Sequence, residues 1–98
     1  MTGIELIADE RQRQIDVEGW TPEHDDGHSS GELSNAARAY AKVAAFQVCG
    51  QVPSMMPPME WPWGIDDWWN PSPDPIRNLV KAGALIAAEI DRLQRIQQ

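Results

Sequence analysis

The chain is short of what marks an exported, membrane-spanning or nucleic-acid-binding protein. It has one cysteine, Cys49, in 98 residues, so no internal disulfide can form, and no positively charged segment precedes a long apolar run of the kind that directs export. A reducing cytoplasm is the expected compartment. Eight Lys and Arg face fifteen Asp and Glu, for a net charge of −7, whereas a phosphate backbone calls for a concentrated basic face. Nucleic acid is not an expected partner. The longest apolar run, near the end, is broken by Lys81 and Gly83 and closes in Glu89-Ile90-Asp91-Arg92, far short of the ~20 residues that span a bilayer. No membrane partner is expected either. Phe and Tyr occur once each, and a chain of this length builds only a modest core, so one domain that associates with copies of itself is the expected organisation.

What is present is periodic and helical. Thr2 with Glu5 has the spacing of a capping box, which predicts a first helix over about residues 3–18 that stops at Gly19. Ile4, Ile7, Ala8 and Ile15 form its apolar face, bordered by a polar row of Arg11, Gln14 and Glu18. Ser29 and Glu32 repeat the box spacing before a second helix over about 30–49, in which Leu33, Ala36, Ala37, Tyr40, Ala41, Ala44 and Val48 recur at steps of three and four. Gly50 and Pro53 end it. Asp74-Pro75 starts a third helix over about 75–96, with Ile76, Leu79, Val80, Gly83, Ile86, Ala87, Ile90 and Leu93 as its buried seam and Gly83 facing the alanines of the second helix. The fold class is therefore all-α: a three-helix domain with a loop over 51–74 packed between the second and third helices. Residues 51 to 75 carry seven of the eight prolines and four of the five tryptophans. Tryptophans left in water would expose large apolar areas, so this stretch should fold down, with Met55, Met56 and Met59 beside Trp61, Trp63, Trp68 and Trp69.

The chemical information concentrates between Glu10 and His28, in ERQRQIDVEGWTPEHDDGH. A turn at Thr21-Pro22 delivers Glu23, His24, Asp25 and Asp26, with His28 beyond Gly27. Imidazoles and carboxylates suit zinc, manganese or iron, but residues this close on one loop rarely converge on one ion, and no metal or other cofactor is expected. Cys49 and the histidines show no nucleophile spacing. Arg77 and Lys81 lie four apart at the start of the last helix, where cations oppose the macrodipole and backbone N–H groups are free, a combination that points to an anion. Trp68-Trp69 beside Asp66-Asp67 and Asn70 mixes π surface with polar groups as ligand sites do. The expected ligand site comprises Arg11, Gln14, Trp20, His24, Asp25, Asp26, His28, Trp68, Trp69, Arg77 and Lys81. Within it Arg11, Arg77 and Lys81 would meet phosphate, one of the tryptophans would stack on a base, and His24, Asp25 and Asp26 would fix the loop and bond the ribose or base edge.

Three families bear on function. Small helical nucleotide pyrophosphatases of the MazG type hold magnesium with Glu-x-x-Glu and Glu-x-x-Asp pairs, but here Glu10 is followed three on by Arg13, Glu32 by Asn35 and Glu89 by Arg92. Each pair lacks its second carboxylate. ERQRQIDVEGWTPEHDD, GELSNAARAYA, WPW and IRNLVKAGALIAAEIDRL together resemble a small protein family of bacteriophages and prophages over nearly the whole chain. Arg13, Gln14, Gly19, Trp20, Thr21, Asp25, Asp26 and His28 resemble the start of the RyR domain, the ryanodine receptor repeat, over about a third of it; the likeness departs at Ser29-Ser30-Gly31. The RyR resemblance implies a helical module that binds adenine-nucleotide-like molecules without catalysis. The phage resemblance implies a protein acting in the host cytoplasm, where capture of a nucleotide signal would blunt antiviral defence. The expectation is thus a binder of a small nucleotide-type ligand, with no hydrolysis. The alternatives are a metal-dependent MazG-like pyrophosphohydrolase and an inhibitor that presents its Trp loop to a host defence enzyme.

Overall fold

A capping box opens the first helix: the Thr2 hydroxyl accepts from the Glu5 N–H at 3.2 Å, and the Glu5 carboxylate accepts from the Thr2 N–H at 2.8 Å. Helix α1 runs Gly3–Glu18 and closes on Gly19, whose left-handed φ of 75° costs glycine little. The computed structural model describes residues 1–51, 56–64 and 68–97, and every regular element among them is helical. The described residues form four helices where three were expected. Thr21 and Pro22 do more than turn the chain. They start a five-residue helix, α2 (Pro22–Asp26), with the Thr21 hydroxyl accepting from the His24 N–H at 3.3 Å and Pro22 placed where its missing N–H costs nothing. Helix α3 spans Glu32–Val48 and α4 spans Pro75–Ile96. The Ser29–Glu32 box does not form, because α3 begins behind left-handed Gly31 and the Glu32 carboxylate accepts instead from the Ser30 N–H at 2.6 Å. Asp74 does cap α4, accepting from the Ile76 N–H at 3.0 Å.

Helices α3 and α4 form the main packing pair, with α1 and α2 also against α4. The α3 stripe is buried as its period predicts, gaining Ala39 and Val43 and losing Val48 at the exposed end. The α4 seam is corrected. Ile76, Leu79, Ile86, Ile90 and Leu93 lie exposed, while Ala82, Leu85 and Ala88 join α3 in the core, flanked by buried Asn78, Lys81, Glu89 and Arg92. The cause is volume: an alanine-lined α3 brings the two helices close, and close approach admits small residues and excludes a row of isoleucines. Gly83 does not face α3. A Cβ there would lie 2.5 Å from Ile7 Cδ1, so it is α1 that needs the glycine. The first helix is likewise rotated from expectation, with Glu10 and Gln14 as its buried residues and Ile4 82% exposed.

The loop is packed down where it is described. Trp61 is buried, Trp63 and Trp69 rest on the core, and Lys42 anchors Glu60 at 3.1 Å. Expectations resting on Pro53, Met55, Asp66 and Asp67 lie outside the described residues. Among the described residues no helix is long and apolar enough to cross a membrane.

Candidate functional site

The site is built on a carboxylate in the middle of α1. Buried Glu10 accepts from Arg13 at 2.7 and 2.9 Å, from Gln14 at 3.2 Å, and from Arg77 of α4. Burial alone would push the Glu10 carboxyl up. Hydrogen bonds and charge from Arg13 and Arg77 outweigh it and hold the group below the ordinary carboxylate value. Ionised Glu10 therefore fixes both guanidinium groups, and Arg13 also reaches Glu18 at 3.3 Å. Lys81, one turn beyond Arg77, is buried and donates to the Asn70 carbonyl at 2.5 Å. Its pKa is lowered, first by burial and next by Arg77, with Glu10 pulling the other way. Three cations against two carboxylates leave a local excess of positive charge on a chain whose net charge is −7.

Arg13, Arg77 and Lys81, with Asn70, Pro71, Ser72 and Pro73, line an open cavity of about 350 Å³. Small-molecule pockets are of this size, roughly 300–1,000 Å³. Its wall is held by a buried polar network. The Asn78 amide donates to Gln47 Oε1 and the Ser72 carbonyl, both at 2.8 Å, and its oxygen accepts from the Ser72 N–H at 2.8 Å. Gln47 donates to the same carbonyl at 2.9 Å.

Arg13, Asn70 and Lys81 are shared with an adjoining crevice that leads to Gln14, Trp20, Tyr40 and Trp68. Gln14 Oε1 and Trp20 Nε1 are buried there without hydrogen-bond partners. Each unpaired buried group costs about 1–3 kcal/mol, so one acceptor and one donor are left unmatched at the base of the crevice. Trp68 has φ 60°, a conformation that bulky residues rarely adopt. Tyr40 holds it: the phenol donates to the Trp68 carbonyl at 3.2 Å and accepts from the Asn70 N–H at 3.1 Å. Burial pushes this phenol up to about 12, which keeps it a donor. Strain that the surroundings enforce gathers at binding sites. The crevice itself holds only about 10 Å³, roughly one water. A ligand ring would therefore lie on Trp68, which is 44% exposed, and send only a polar tip inward.

Of the residues read from the sequence, Gln14, Trp20, Trp68, Arg77 and Lys81 come together here. The others lie outside the two cavity linings and are paired or packed within the fold. Arg11 donates to the Trp20 carbonyl at 3.1 Å and pairs with Asp25 at 2.5 Å, and Asp25 is fully buried. Asp26 takes Arg95 at 2.7 Å. His24 packs between Trp20 and Trp68, at 5.2 and 5.5 Å between ring centroids, and meets His28 with the two Nε2 atoms 3.4 Å apart. His28 also approaches Glu32 at 3.4 Å. Trp69 packs on Tyr40 and Trp61. Of the backbone N–H groups expected to be free at the start of the last helix, that of Ile76 is already taken by the Asp74 carboxylate. Sequence reasoning missed Glu10, Arg13 and Tyr40 as site residues, and named Asn70 only as a polar neighbour of Trp68 and Trp69. Glu10 with Arg13 reads as an ordinary surface i, i+3 pair, and the signal that separates it from one is Gln14 beside it on a helix that buries its polar row.

Among the described residues, no group of three or more His, Cys, Asp or Glu is placed to hold a metal ion. Glu10 and Glu89, the first members of two of the incomplete carboxylate pairs, are instead paired with Arg13 and Arg92 at 2.7 and 2.6 Å. Comparisons with protein-family models, curated proteins and solved structures find no significant match to the chain.

Proposed function

We propose that the chain binds a small, phosphate-bearing, ring-containing molecule of the nucleotide type and does not cleave it. The observation that carries this reading is the join between two features: a cavity edged by Arg13, Arg77 and Lys81, and a crevice holding the unpaired Gln14 Oε1 and Trp20 Nε1. An anion in the cavity relieves the mutual repulsion of Arg77 and Lys81, and charge-assisted hydrogen bonds are the strong ones. The ring rests on Trp68, with its polar edge toward Gln14 and Trp20. Turnover would ask for carboxylates free to clamp a metal, and Glu10 is committed to two arginines. With the phage resemblance, binding without cleavage supports capture of a host antiviral nucleotide signal in the host cytoplasm.

Calorimetry of the purified protein against linear and cyclic nucleotides, their nucleosides and inorganic phosphate tests the proposal. At least one phosphorylated member should bind below millimolar, more tightly than its nucleoside and than phosphate alone, and emerge intact. Failure of every member, with capture of a host protein by the Trp loop, would replace the small-ligand reading with the inhibitor reading.

A further inference from the structure

Helix α4 carries its largest apolar residues on the side away from its own core. Ile76, Leu79, Gly83, Ile86, Ile90 and Leu93 follow one another at steps of three and four, which confines them to an arc of about 100°. Five of them are exposed, from 43% for Leu93 to 61% for Ile76. The opposite side, buried in the chain, carries Asn78, Lys81, Glu89 and Arg92 among its alanines. A solvated helix has the reverse distribution. The exposed row is also more than scattered surface hydrophobicity: it amounts to on the order of 500 Å² per copy, near the top of the ~300–600 Å² found for the largest patch on a typical monomer. Two such rows face to face come to about 1,000 Å², the lower bound for a biological interface, and the flanks of α4 and α1 would bring the total toward the ~1,200 Å² at which specific interfaces begin.

We infer that this stripe is the contact between two copies of the chain, paired about a two-fold axis with their α4 helices antiparallel. The spacing is that of the a and d positions of a coiled-coil seam. It is also the same read from either end, so an antiparallel copy sets Ile76 against Leu93, Leu79 against Ile90, and Gly83 against Ile86, as a self-complementary isologous interface requires. Antiparallel packing aligns the helix dipoles favourably, and parallel packing does not. At Gly83 the partner's Ile86 meets Ile7, which already covers the glycine, so α1 is held at the seam as well.

Sedimentation equilibrium at tens of micromolar is the first test. The wild-type chain, 11.0 kDa, should run at twice that mass, and the Ile86→Asp, Ile90→Asp double variant at the single mass. The control Val48→Asp, at an exposed position off the stripe, should remain a dimer. A cross-link carries the test without relying on the fold of a charged variant: in a Cys49→Ser background, chains with Leu79→Cys and chains with Ile90→Cys are mixed and treated with a short bis-maleimide. Mixed cross-links should exceed those between identical chains. A monomeric wild type, a stripe variant that folds and stays dimeric, predominance of like-with-like cross-links, or a stripe covered only when some other protein is added would each overturn the inference.

Discussion

Arg11 and Arg13 stand two residues apart on α1 and serve opposite ends. Arg11 meets a fully buried carboxylate, Asp25, and the nearby Arg95 meets Asp26, so around α2 each cation is matched by one anion and the cluster is closed. Arg13 belongs to a cluster in which Glu10 is shared among several donors, Lys81 is buried against the Asn70 carbonyl and the face of the Tyr40 ring with no carboxylate among the described residues bonded to it, and cations outnumber carboxylates. The difference separates structure from site. A charge matched inside the fold ties elements together, and a charge left over at a cavity wall is the one the proposed function gives to a ligand.

The largest expected effect breaks the closed cluster. Asp25→Ala leaves the Arg11 guanidinium against α2 without its carboxylate, and breaking a buried pair in this way costs about 3–5 kcal/mol. Urea denaturation should show that loss, and a variant within 1 kcal/mol of wild type would mean that Arg11 is not structural. Next comes Tyr40→Phe. It removes both hydrogen bonds that hold Trp68 and Asn70, at a cost of about 1–2 kcal/mol by the net worth of two hydrogen bonds, and it should loosen nucleotide binding by freeing Trp68 from its strained conformation. Unchanged affinity would show that the strain is incidental.

Lys81 sharpens the comparison through pH. Its folded pKa is lowered from 10.5, so the unfolded chain keeps a proton that the folded chain has released. Below the folded value the penalty of burying the charged lysine is fully present, and it is relieved as pH rises toward 10.5. Stability from this group therefore rises through that window. Anion affinity falls through it, because the cation is lost. Lys81→Met should flatten both trends, measured by denaturation and by calorimetry. The smallest effect belongs to Asp26→Ala, which removes a partly exposed pair with Arg95 and should cost no more than about 1 kcal/mol. Nucleotide affinity should not change, because Asp26 faces Arg95 and not the cavity.

The local rules were legible in the sequence. Thr2 and Asp74 cap the helices their spacing predicts, and the α3 stripe faces the core. What could not be read was which neighbour each face would meet. The α4 period marks an apolar face correctly and says nothing of the alanine-lined α3 that turns it outward. Ser29 was in place for a cap, but left-handed Gly31 stands at the N-cap and Glu32 turns back to the Ser30 N–H. The candidate site was half visible for the same reason. Arg77 and Lys81 betray themselves by opposing the dipole of α4, and Trp20, Trp68 and Gln14 by their company. Tyr40 and Asn70 are bound to one another across thirty residues, and no local pattern announces such a pair.

The account stands most directly on one calorimetric comparison: a nucleotide found to bind, and its nucleoside, each titrated into the wild-type chain and into Arg77→Ala. Arg77 borders the cavity, while Arg13 keeps Glu10 paired in its absence. The account predicts that the substitution weakens the nucleotide by about 1.5–3 kcal/mol, the worth of a charge-assisted hydrogen bond, and leaves the nucleoside almost unchanged. Equal losses for both ligands, or no loss for either, would contradict it and place the phosphate elsewhere.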